Sequence, residues 1–169
     1  MKTLIGLTLA TALAATALPA FAQTAPVTDN AAAAQALNTA RQNGELVRQF
    51  YDMAFNQHQP REAARLFIGD RYIQHNPMVP NGTEPFYTYF EGHFREFPQS
   101  RATIHRVIAD GDLVAIHVHS QTSPEDRGVA IIDLFRVENG KIVEHWDVIQ
   151  PVPETTANGN TMFTGTKAD

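Results

Sequence analysis

The 169-residue chain contains no cysteine. Disulfides, thiolate metal ligands and thiol nucleophiles are therefore excluded, and the fold must stand on its apolar core. Runs of one charge are missing too. Thirteen Lys and Arg are dispersed among eighteen Asp and Glu, for a formal charge of −5. With no basic stripe, nucleic acid is not an expected partner. No Gly-rich phosphate loop, P-loop or serine-nucleophile motif occurs, which argues against nucleotide binding and serine-hydrolase chemistry.

The one long apolar run lies at the start. Lys2 precedes Leu4 to Leu18, and Ala20-Phe21-Ala22 is a small-x-small cleavage signal. The run is too short for a convincing membrane span, so residues 1–22 read as a secretory signal peptide cut after Ala22. A lipid-anchored cysteine is absent, so no stable membrane anchor is expected after cleavage. The expected location is the bacterial periplasm or the outside. Cleavage removes Lys2 alone among the charges and leaves a mature chain of charge −6.

Residues 23–42 are Ala-rich and polar and read as a flexible linker, with nascent helix over Ala31 to Ala36. From Asn43 the pattern becomes helical: Leu46, Val47, Phe50, Tyr51, Ala54 and Phe55 share one face. Pro60 suits the first position of a second helix, which carries Ala63, Ala64, Leu66 and Phe67 inward. Arg71 to Asn76 reads as a short strand. In it Tyr72, Gln74 and Asn76 alternate with Ile73 and His75. Thr83 is placed to cap a third helix lined by Phe86, Tyr89, Phe90, His93, Phe94 and Phe97. Two strands follow, Ala102 to Ala109 and Leu113 to Gln121, joined at Asp110-Gly111-Asp112. The domain spans 43–153, and 154–169 is a polar tail with no assigned element. Helices followed by an antiparallel meander give an α+β plan with helices on one face of a curved sheet.

The last hairpin, GVAIIDLFRVENGKIVEHWDVIQP, is the densest in chemistry. Asn139-Gly140 between apolar runs predicts a two-residue turn with φ > 0 at both positions. Counted outward from it, Val137 faces Ile142, Phe135 faces Glu144, Asp133 faces Trp146 and Ile132 faces Asp147. In that register Asp133 and Asp147 lie on opposite faces. Only a bulge or a shifted turn brings both carboxylates into one pocket.

Four segments, FYDMAFNQHQP, YIQHNP, VIADGDLVAIHVH and DLFRVENGKIVEHWDVIQP, resemble the NTF2-like (cystatin-like) cone-shaped α+β domains. Within these the chain is similar to the SnoaL-like group, whose best-known members are polyketide cyclases. The resemblance runs from about Glu45 to Phe163. It implies ring closure by aldol condensation without a cofactor, with Asp147 as the acid/base carboxylate. It also implies a homodimer paired through the outer sheet face. At the position of Asp133 those cyclases carry a histidine, so this chain departs from them there.

Set beside the residues, this yields the candidate site. Asp147 is a general base if apolar neighbours raise its pKa; otherwise it is a surface carboxylate. Asp133, between Ile132 and Leu134, is a second acid/base or a buried partner of a histidine or arginine. His75, before Asn76-Pro77, could relay a proton at the pocket mouth, with Asn76 donating to the substrate oxygen. His145 is expected to pair structurally with a carboxylate. Trp146, Tyr51, Phe90 and His117 complete the expected binding surface. The many aromatics favour a small apolar ligand. His105, His117 and His119 have metal-ligand spacing, but packing or hydrogen bonding outweighs that reading, and no metal is expected. The function expected is cofactor-independent acid/base chemistry on a small carbonyl compound, of cyclase or isomerase type. The alternative is a binding module or dimeric scaffold of the same fold.

Overall fold

The computed structural model describes residues 30–164. The signal peptide expected over 1–22 and the end of the tail lie outside those residues. Helix α1, Asn30–Tyr51, starts well before Asn43. Alanine has the strongest helix propensity, so the Ala-rich stretch from Ala31 continues the packed helix outward instead of forming the expected flexible linker. The first turns are exposed, and burial begins at Ala40. A π-helical turn, Asp52–Asn56, follows. Its last residue clamps the sheet like a strand partner: Asn56 Nδ2 donates to the Ala102 carbonyl at 3.0 Å, and the Ala102 N–H donates to Asn56 Oδ1 at 2.9 Å. Helix α2, Pro60–Phe67, starts with proline at its first position as expected. Helix α3, Thr83–Glu96, differs at its start. Gly82, with φ 95°, occupies the capping position that Thr83 was expected to fill.

Five strands form one sheet in the order β1-β5-β4-β3-β2: β1 Ile68–Gln74, β2 Arg101–Asp110, β3 Leu113–Gln121, β4 Val129–Glu138 and β5 Lys141–Pro151. Strands β2 to β5 make the expected antiparallel meander, and β1 adds at the edge, parallel to β5. One sheet face holds the helices. Val47, Phe50 and Ala54 pack there on Val114, Ile116, Val118, Phe135, Val137 and Ile142, all nearly inaccessible to solvent. Gly128 opens β4 with φ 67°, and a Cβ there would collide with the Ser120 carbonyl oxygen, so only glycine fits.

Two irregularities decide which side chains meet. Asn139 and Gly140 have φ 51° and 72°, the expected turn. Glu138 then faces Lys141 and Val137 faces Ile142, but the next pair is Arg136 with Glu144. Val143 is the extra residue of a bulge. Beyond it the simple count fails by one, and Asp133 faces Asp147 directly. In β2 the pairing jumps from Ile104–Val118 to Arg106–His117, leaving His105 as the extra residue.

Candidate functional site

Between the helices and the inner face of the sheet lies a cavity of about 630 Å³. Its wall is largely aromatic: Phe50, Tyr51, Phe55, Tyr72, Phe86 and Phe90 all contribute. Edge-to-face contacts fix these rings, with Phe50–Phe135 centroids 5.9 Å apart and Phe55–Phe90 centroids 4.8 Å apart. The polar groups gather at the β4–β5 side, where Asp133, His145 and Asp147 face inward with Gln74 and Asn76 of the neighbouring edge.

Hydrogen-bond accounting assigns the protons in this group. Asn76 Oδ1 accepts from the Met78 N–H at 2.8 Å, which turns Nδ2 towards Asp147 Oδ2 at 2.6 Å. Asp147 Oδ2 is thus held as an acceptor by a neutral donor. Gln74 Oε1 accepts from the Asn76 N–H at 3.3 Å and lies 2.6 Å from His145 Nδ1. A carbonyl oxygen only accepts, so Nδ1 carries a hydrogen. His145 Nε2 is 2.9 Å from Asp133 Oδ1. With Nδ1 already protonated, that contact needs one more proton, shared between imidazole and carboxylate. The Tyr51 hydroxyl donates to the other Asp133 oxygen at 3.0 Å. Burial first, and then the Asp133 carboxylate, push the Tyr51 pKa well above its ordinary value, so it stays a donor. Burial does the same for Tyr72, again followed by Asp133. The site therefore holds the Asp147 carboxyl, accepting from Asn76, beside a buried Asp133–His145 pair that shares one proton.

Ligating atoms of Asp133, His145 and Asp147 lie within 4.8 Å of one another, close enough for a single cation. Each is already engaged by the hydrogen bonds described, and a cation would have to displace them.

The structure brings together Asp147, Asp133, Asn76, Tyr51 and Phe90 from the expected set. Three expected residues lie elsewhere, because they sit at alternate positions facing away. The His75 ring stacks on Trp146, with centroids 4.7 Å apart and planes at 3°. Its Nε2 bonds Glu144 Oε1 at 2.8 Å. Trp146 pairs with Leu134 on the outer face, and the Arg136 guanidinium lies 5.7 Å from its ring. Hydrogen bonds from His75 and then Arg136 hold the Glu144 carboxyl below its usual range. His117 also faces outward, where its Nδ1 accepts from Arg106 at 3.0 Å. The proposed trio of metal-binding histidines does not converge. The Phe163 ring from the tail lies among them, stacked 4.7 Å from His105 and 4.2 Å from His119.

Gln74 was missed, and His145 was expected only as a structural partner. Their signals were present in the alternation of Tyr72, Gln74 and Asn76 along one strand and of His145 and Asp147 along another.

The model of the SnoaL-like domain family matches residues 47–145, more than half of the chain, and the chain belongs to that family. No curated protein sequence matches it. Solved structures with the same fold include a candidate polyketide cyclase from Bacillus cereus ATCC 10987, 20% identical with TM-score 0.55, covering 64% of this chain and 74% of its own. A candidate ketosteroid isomerase from Kribbella flavida DSM 17836 is 18% identical with TM-score 0.56, covering 77% of this chain and 93% of its own. An NTF2-like protein of unknown function from Mesorhizobium loti is 23% identical with TM-score 0.54, covering 66% and 93%. At such identities the likeness shows the fold.

Proposed function

We propose that this domain is an exported, cofactor-independent acid/base enzyme of the cyclase or isomerase type, acting on a small, mostly apolar ketone. The observation that carries the reading is the inward pairing of Asp147 with Asp133 at one end of an aromatic cavity. In the mechanism, Asp147, steadied by Asn76, takes a proton from the carbon next to the carbonyl. The Asp133–His145 pair turns its shared proton to the substrate oxygen as the substrate binds and so stabilises the enolate charge as it forms. The carbanion then either regains a proton at another carbon, giving an isomer, or attacks a second carbonyl. In that case a new C–C bond forms and the carbonyl oxygen takes up the proton. Gln74 keeps Nδ1 protonated throughout, and Tyr51 keeps the pair in place.

The test needs no knowledge of the natural substrate. Small cyclic and aryl ketones are incubated with the mature domain in deuterium oxide, and loss of the α-hydrogen signal is followed by NMR. Acceleration by the native protein is expected, reduced about a hundredfold to ten-thousandfold in Asp147→Asn, the range for a lost general base. Native protein that binds ketones without exchanging their hydrogens would instead be the non-catalytic binder. Export rests on residues 1–22, and pairing of two copies is supported by Ile108 and Val148, exposed at 67% and 71% on the outer face. Native mass spectrometry of the exported protein checks both, with a chain beginning at Gln23 and a mass of two chains expected.

A further inference from the structure

The cavity has a second polar end that the acid/base group does not use. His93, on α3, lines it together with Phe94, Ser100, Arg101 and Ser120. These residues belong to one neighbourhood. Ser120 pairs with Ala102, which follows Ser100 closely, and the Ser100 carbonyl accepts from His58 Nε2 at 3.0 Å. The His58 ring stacks on Phe94, the neighbour of His93, at 4.1 Å and 5°.

This end is well separated from Asp133. Ser120 lies four residues along β3 from Ile116, the residue facing Asp133, a distance of about 13 Å along a strand. Along α3, Phe86 sits on the Phe50–Phe135 side and His93 two turns further on, about 10 Å away. Between the two ends the wall is aromatic.

The His93 ring makes no hydrogen bond with any described residue, although Tyr89, Phe90, Phe94 and Phe97 surround it. Burial lowers its pKa, with the His58 ring adding to this and Glu96 opposing it, so the imidazole is neutral near pH 7. A neutral imidazole with both nitrogens uncommitted can donate to, or accept from, an uncharged oxygen.

We infer that His93 is a specificity-determining residue and that the ligand is bifunctional. Its carbonyl reaches Asp147, and the end that crosses the aromatic wall carries a hydroxyl group bound by His93. The inference rests on the proposed reading for the position of the carbonyl, but the hydroxyl subsite is read by binding alone.

Calorimetry with three probes tests it: a methyl naphthyl ketone, the same ketone with a hydroxyl at the far end of the second ring, and its counterpart with a carboxylate there. The hydroxylated ketone is expected to bind the native protein about fivefold more tightly than the parent, the gain of one net hydrogen bond. His93→Phe should erase that difference, read as the ratio of the two affinities within the variant, and His93→Gln should retain it. Equal affinities in the native protein, a preference that survives His93→Phe, or no binding of any probe would each overturn the inference. Tightest binding of the carboxylate would do so as well, by assigning this end to Arg101. Asp147→Asn leaves the hydroxyl preference intact, so failure of the catalytic reading and failure of this one are separable.

Discussion

At the scale of single residues, the site turns on one carbonyl oxygen. Gln74 Oε1 fixes a hydrogen on His145 Nδ1, and this is what obliges Asp133 and His145 to share a proton. Nitrogen-resolved NMR of His145 should therefore find Nδ1 protonated in the native protein near neutral pH. Gln74→Leu should remove that preference, and an unchanged Nδ1 signal in the variant would show that Gln74 does not set the tautomer. Such roles are hard to read from sequence because they depend on two segments about seventy residues apart meeting at an edge. What sequence does carry is direction. Tyr72, Gln74 and Asn76 share a side of their strand, and all three line the cavity. By the same alternation His75 had to face away, and the attraction of a histidine in a loop-like setting outweighed a rule that placed it correctly.

At the scale of elements, the helices and the meander were legible because periodicity and turn chemistry agree there. The Asn139-Gly140 turn needs positive φ twice, and Leu113–Gln121 alternates cleanly. The parallel edge strand and the bulge were not legible, since neither leaves a periodic trace. Val143 is one more β-branched residue in a strand that favours them, and its extra count shows only when both strands are laid side by side. It inverts every later prediction of facing in that hairpin. Deletion of Val143 should therefore yield a protein that still folds, with a cooperative thermal transition, and in which Val137–Ile142 and Arg136–Glu144 become consecutive pairs, so that Asp133 still faces Asp147. Ketone hydrogen exchange should persist near the native rate; a fall to the level of Asp147→Asn would mean that the site needs the bulge itself and not only the pairing it sets.

At the scale of the whole molecule, the tail closes the outer face. Phe163 is buried, its carbonyl accepts from Arg106 at 2.9 Å, and its ring lies among His105, His117 and His119. His105 Nε2 is buried there with no hydrogen-bond partner among the described residues. Burial, followed by the neighbouring cationic groups, lowers the pKa of His105, and burial followed by Arg106 lowers that of His117. The folded chain thus binds fewer protons at these sites than the unfolded one, so their contribution to stability is present at neutral pH and above. It is lost as the pH falls through the ordinary histidine range and below it. Asp126, near His119, is the counter-charge on that side. The protection factor of residues 152–164, which removes the intrinsic pH dependence of amide exchange, should fall between pH 8 and pH 5 while the core strands stay protected. Phe163→Ala should give low protection factors at both pH values, and a tail equally protected at both in the native protein would contradict this account. The Val143 bulge has one last implication, for descent. A substitution that drew Val143 into regular pairing with Arg136 would leave the length and apolar pattern of the hairpin untouched while parting the two carboxylates. A catalyst and a silent ligand carrier on this scaffold would then stand one mutational event apart, and relatives that share the fold can be expected to fall on both sides of it.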